Sequence, residues 1–177
     1  DVLTGEGTFD PPTQPLDADG QGIPYATYAF AAQIALVRGD TGLGTVKVEK
    51  MVAAHDVGRA VNPTIVEGQI TGGATHGLGS ALFERMIYDD QGQPQTTNFG
   101  EYLLPSAPEV PHFDMIHMES PTPLNPLGVK GAGEGGTIPV TSAIASAVDD
   151  ALSPFGVVVR DLPIEPKRIV EMINQSS

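Results

Sequence analysis

Residues 128–136 read Gly-Val-Lys-Gly-Ala-Gly-Glu-Gly-Gly, five glycines around a single carboxylate, Glu134. Such a stretch admits three chemistries. The segment 131–136 satisfies the G-x-G-x-x-G pattern of a dinucleotide loop, and a helical pattern follows it, with Asp161 further on where a ribose-binding acid could sit. Three features oppose that reading. Asn125-Pro-Leu-Gly-Val-Lys130 is no buried strand, too little chain follows for the remaining βαβ units, and Glu134 would put negative charge inside a pyrophosphate cradle. A second reading is a tight turn into a helix, with Glu134 a first-turn acid favoured by the helix dipole. The third is the frame of a general acid or base, in which flanking glycines let the backbone approach a bulky group without Cβ clashes.

Other candidate groups are less suggestive. His55 and Asp56 could be half of a hydrolase triad, but neighbours on a strand point to opposite faces and no nucleophile elbow is present. A structural role is expected for both, with Asp56 and Arg59 forming a local polar lock. His112 and His117 stand five apart on a strand pattern and so face opposite sides, a poor metal pair. Met115 and Met118 read as core or interface. The chain has no cysteine, which excludes disulfides, thiolate metal sites and iron–sulfur clusters within it. Nine Lys and Arg against 22 Asp and Glu give a net charge of −13, which argues against nucleic acid as a partner.

The elements that must position these groups follow from periodicity. Residues 1–24 carry Pro11, Pro12, Pro15 and Pro24 with no period, and read as an extended arm that packs on a partner chain. Residues 25–37 alternate, which suits a strand, although their alanine content leaves a helix open. With turn chemistry at 38–44 and a second alternating run at 45–56, a hairpin is expected. Asn62-Pro63 is a helix start, and Val66, Ile70, Ala74 and Leu78 predict a helix to about Met86. Gly68, Gly72, Gly73, Gly77 and Gly79 within it imply close approach by another backbone or a ligand, since each costs roughly 0.5–1 kcal/mol relative to alanine. Strands are expected near 95–103, 112–119 and 155–160, and helices over 137–152, with Val140, Ile144, Val148 and Leu152 on one stripe, and 166–174. The fold class is α+β, with hairpins and glycine-rich helices, and 25–177 forms one domain. No apolar run approaches the roughly 18 residues of a membrane helix. With no leader pattern, the cytoplasm is the expected compartment and the periplasm the alternative. Asp at position 1 points to a processed chain or a piece of a longer one.

Several long motifs occur in one order: PYATYA at 24–29, AHDVGRAVNP at 54–63, EGQITGGATHGLGSALFE at 67–84, GVKGAGEGGTIP at 128–139 and LPIEPKRIVEMI at 162–173. Together they resemble the C-terminal part of the molybdopterin-binding large subunit of the xanthine dehydrogenase/aldehyde oxidase family. The resemblance implies Glu134 as the general base of a hydroxylation that takes its oxygen from water. It implies a molybdopterin cofactor, in the cytosine dinucleotide form, held in part by Gly131, Gly133 and Gly135 and by the glycine-rich helix through Gly72, Gly73, Gly77 and His76. Many relatives carry glutamine where this chain has His76, and a histidine can make only part of the amide's two-sided pattern. Molybdenum itself would receive no side chain from this chain. The implied partners are the remainder of the large subunit, an iron–sulfur subunit with 2Fe-2S clusters and an FAD subunit. The implied substrates are aldehydes or N-heterocycles of the purine or nicotinate type. A carbon monoxide dehydrogenase-type piece and a non-catalytic assembly subunit of the same fold are the alternatives, and retention of Glu134 speaks against the latter.

Overall fold

The computed structural model describes residues 2–176. Two antiparallel strands, β1 (Phe30–Asp40) and β2 (Thr45–Asp56), form the expected hairpin, and β3 (His112–Met118) runs parallel to β2 on its other side. Helix α1 (Pro63–Leu82) makes the crossover from β2 to β3. Helix α2 (Thr137–Leu152) packs on α1 and β1, and α3 (Pro166–Ser176) closes the chain.

The helices cover one face of the sheet. Met51 on β2, Leu78 on α1 and the α2 stripe Val140, Ile144, Val148 and Leu152 form the main core, as the four-residue repeats predicted. A second cluster gathers Ala53, Val57, Val66 and Ile70 at the end of β2. Truncating a fully buried member such as Ile144 to alanine would cost about 2–5 kcal/mol. The two helices approach closely because α1 is glycine-rich on this side. A Cβ on Gly77 would overlap Val140 Cγ1, one on Gly73 would lie 2.9 Å from Thr137 Oγ1, and one on Gly136 would overlap Ile70 O. Thr137 and Thr141 exploit the proximity, donating from their hydroxyls to Gly73 O and Gly77 O at 3.0 and 3.2 Å. The other sheet face leaves Phe30, Ile34, Leu36, Ile116 and Met118 exposed.

The start of α1 is as expected: Asn62 Oδ1 accepts from Ile65 N at 3.2 Å, and Pro63 occupies the first turn. Its end comes at Leu82, not Met86, because the amides of Phe83 and Glu84 both turn back to Gly79 O. Strand β1 begins at Phe30, so 25–29 is not strand and the irregular arm runs further than position 24. No strand forms at 95–103. There Asn98 accepts Gly100 N on its side chain and Tyr102 N on its carbonyl, while Glu101 takes Thr97 N, so local bonds replace a ladder. Nor does 155–160 form one: Gly156 turns at φ +68, and Val159 N is taken by the side chain of Asp149.

Candidate active site

The segment around Glu134 is a span anchored at both ends. Its entry is tied to the end of β2. Lys130 N donates to Val57 O at 2.8 Å, Arg59 N donates to Gly128 O at 3.0 Å, and Gly58 and Val129 form a bridge. Gly58 has φ +65, and a Cβ there would overlap Gly128 O, so this junction needs glycine on both counts. Lys130 Nζ then reaches Asp56 Oδ2 at 2.8 Å, with the two side chains 9% and 11% exposed. Asp56 Oδ1 accepts from Gly58 N at 2.9 Å and Ser120 N at 3.1 Å. Burial works against ionisation of Asp56, but the Lys130 ammonium and the two amides outweigh it and hold its carboxyl below the usual range. The polar lock expected between Asp56 and Arg59 is therefore made with Lys130, whose ammonium nitrogen also stands over the Phe30 ring, 5.4 Å from its centroid.

The far end is fixed by the start of α2. Glu134 O accepts from Thr137 N at 3.0 Å and Ile138 N at 3.3 Å, so Glu134 stands at the point where the helix begins. Gly136 is wedged on Ile70 of α1, and its carbonyl receives Gln33 Nε2 at 3.1 Å. Between the anchors, the backbone N–H groups of residues 131–136 have no acceptor among the described residues. Nothing lies within 4 Å of where a Cβ would stand on Gly131 or Gly133. Unpartnered amides, exposed at Gly131, Gly133 and Glu134, thus stand at the positive end of a 16-residue helix, a site suited to an acceptor-rich, anionic group.

Glu134 is exposed and faces a cleft of about 590 Å³ that Gly131, Gly133, Gly135, His55, Tyr28 and Phe30 also line. Tyr25 and Tyr28, edge to face at 6.2 Å, lie on the same cleft and supply the flat apolar surface that a planar ring system needs. His55 is 3% exposed, and burial, with the charge of His117, lowers its pKa below the ordinary histidine value. It is thus a neutral wall of the cleft.

The loop glycines and Glu134 expected to work together do share one cleft. The α1 residues do not line it. Gly73 and Gly77 are occupied by the α2 contact, whereas Gly72 and His76 lie on the exposed side of α1, with nothing within 4 Å of a Cβ built on Gly72. His112 and His117 pair separately with Asp114 and Glu67, at 3.1 and 3.0 Å. Sequence reasoning gave Gln33 and Lys130 no role. Their contacts span 103 and 74 residues of chain, and the only signal was a polar residue at an inward position of β1 and a lysine inside a glycine run.

A family model described as molybdopterin cofactor-binding domain matches residues 2–111. The nicotine 6-hydroxylase large subunit of Paenarthrobacter nicotinovorans is 46% identical over 135 residues, which is 76% of this chain and 16% of that protein. Quinoline 2-oxidoreductase from Pseudomonas putida 86 superposes with a TM-score of 0.78 at 42% identity, covering 80% of this chain and 18% of that one. A Cu,Mo-CO dehydrogenase superposes with a TM-score of 0.81 at 30% identity over 85% of this chain and 19% of that one. The chain therefore spans less than a quarter of the length of the relatives it matches, and it shares the fold of their molybdenum-binding region. With more than half of its residues under the family model, the chain belongs to the molybdopterin cofactor-binding domain family, in the molybdenum-binding large subunits of xanthine dehydrogenase and aldehyde oxidoreductase type.

Proposed function

We propose that this chain is the part of a molybdenum hydroxylase that carries the general base, Glu134, and that the enzyme hydroxylates an N-heteroaromatic ring with oxygen from water. The observation that carries this is exposed Glu134 on a cleft that Gly131, Gly133 and Gly135 also line, in a loop whose amides have no acceptor among the described residues. When bound, the molybdopterin group supplies a two-electron acceptor and the site at which the attacking oxygen is delivered. The amides of residues 131–136 and the open sides of Gly131 and Gly133 suit its acceptor-rich edge, with Gly135 closing against His55. Gly72 and His76 offer a second contact from the exposed side of α1. Gly73 and Gly77 serve indirectly, by letting α2 lie close enough to aim those amides.

Glu134 takes the proton of the attacking hydroxyl, which raises its nucleophilicity as the new carbon–oxygen bond forms. Its backbone is fixed through the helix bonds to its carbonyl, so the carboxylate swings only about its own side-chain torsions. Tyr25, Tyr28 and Phe30 suit a flat substrate and exclude water from one side of it. Similarity to proteins named for nicotine and quinoline, at 46% and 42% identity, favours an N-heterocycle over carbon monoxide, where the figures are 28–34%. Aldehydes are the second substrate class, since an aldehyde oxidoreductase from Desulfovibrio gigas superposes with a TM-score of 0.81 at 28% identity. The remainder of the large subunit, an iron–sulfur chain with 2Fe-2S clusters and an FAD chain would complete the enzyme, which would work in the cytoplasm. The exposed arm before β1 and the apolar outer face of the sheet suit packing against those parts. No helix among the described residues is long and apolar enough to cross a membrane.

The test is turnover of a pyridine or quinoline substrate by the assembled enzyme in water enriched in oxygen-18, beside molybdenum analysis. Label in the hydroxylated product and molybdenum in the complex are expected. Label derived from dioxygen, or full activity without molybdenum, overturns the reading.

A further inference from the structure

Two residues with no catalytic assignment hold the helix end of the Glu134 segment. Gln33 projects from β1 towards the helices, its Nε2 3.1 Å from Gly136 O and 3.2 Å from His55 Nε2. An amide nitrogen carries two hydrogens, so both contacts form at once if His55 Nε2 is the acceptor. The imidazole is then neutral with its proton on Nδ1. Nδ1 in turn lies 3.3 Å from where a Cβ on Gly135 would stand, so the ring supports the backbone beside Glu134. Burial, which opposes a charge on His55, agrees with a neutral ring.

The cost of this arrangement points to its purpose. Gln33 Oε1 is buried with no hydrogen-bond partner among the described residues. An unsatisfied buried acceptor costs roughly 1–3 kcal/mol, and an apolar side chain of similar size would avoid that penalty. Turning the amide over would bring Oε1 against Gly136 O and lose the donor, so the orientation is set by the two donations. Between Lys130 and Gly136 the glycine segment has no other side-chain hydrogen bond among the described residues. Beside the backbone bonds at either end, side chains therefore hold the Glu134 segment through one ion pair at the entry and this pair at the exit.

We propose that Gln33 and His55 are positioning residues for Glu134, acting through Gly135 and Gly136 to hold its carboxylate at the reacting centre. The inference rests on the base assignment above. In the assembled enzyme, Gln33→Leu and His55→Leu should keep molybdenum and lower kcat about tenfold or more, since a misplacement near 1 Å costs up to roughly 100-fold. KM should stay within about threefold, because the loss falls on the transition state. His55→Gln, whose Oε1 can still accept from Gln33, should recover most of the rate. Independently of turnover, hydrogen exchange at the amides of Thr137 and Ile138, which donate to Glu134 O, should quicken in both leucine variants. Wild-type kcat and unchanged exchange in Gln33→Leu overturn the proposal. If that variant loses its cofactor, equal activity of His55→Leu and His55→Gln overturns it instead. Full turnover by Glu134→Gln would remove the base and the positioning role together, whereas an inactive Glu134→Gln beside normal leucine variants removes the positioning role alone.

Discussion

Lys130→Met should loosen the junction between β2 and the glycine segment by about 3 kcal/mol, the lower end of what removing one partner of a buried ion pair costs. The lower end applies because Asp56 Oδ1 keeps its two backbone donors, Gly58 N and Ser120 N, when the ammonium is gone. Methionine keeps an apolar side chain of similar length, so the variant removes the ammonium with its ion pair to Asp56 and its contact with the Phe30 ring. The amides of residue 130 and Arg59, bonded to Val57 O and Gly128 O, report the opening of this junction directly. At 1.36 kcal/mol per decade, their hydrogen exchange should speed by roughly 100-fold. Adding Asp56→Asn should reverse most of that effect. The asparagine Oδ1 can accept the same two backbone bonds, while its amide faces an uncharged side chain in place of a lost cation. The double variant should exchange within about tenfold of the parent, a coupling of more than 1 kcal/mol between the two sites. Equal exchange in the single and double variants, or less than about a threefold effect of Lys130→Met, would refute the claim that this pair clamps the loop.

Other expectations follow from the same packing. Gly77→Ala, which drives a methyl into Val140, should destabilise the protein by about 1–3 kcal/mol, whereas Gly72→Ala should be neutral or stabilising by about 0.5–1 kcal/mol. Thermal melting of the two variants checks the contrast, and molybdenum analysis of Gly72→Ala and His76→Ala reads whether the exposed side of α1 touches cofactor. Because the folded pKa of His55 is lowered, its contribution to stability is full above the unfolded value of about 6.5 and declines as pH falls towards the folded value; His55→Gln should flatten that limb of a stability–pH curve. Asp56 behaves likewise lower down, its contribution present above about pH 4 and lost as pH falls through its depressed folded pKa.

Much of the frame was legible because it rests on local signals. Asn62-Pro63 marks a helix start by chemistry confined to one turn, and the stripe from Val140 to Leu152 needs only a period of four. The glycines of α1 announced a close approach, though not that Gly73 and Gly77 face α2 while Gly72 faces outward, because that depends on the helix's rotation against its neighbour. The misplaced strands fail for a different reason. Residues 95–103 and 155–160 have strand-like composition, but Asn98, Glu101 and Asp149 occupy the backbone groups a ladder would need. At the site, Glu134 stood out by its company in the chain. Gln33 and Lys130 did not, and for His55 the sequence indicated a structural role without a partner, since the contacts of β1, the end of β2 and the loop join residues far apart in the chain.

The central claim is that Glu134 moves the proton, and one variant tests it most directly. Glu134→Gln preserves shape and the backbone bonds to Thr137 and Ile138 while removing the basic oxygen. In the assembled enzyme it should retain parental molybdenum content and lose about 10²–10⁴-fold in turnover, the range a general base supplies. Turnover within about tenfold of the parent at full molybdenum loading would contradict the account.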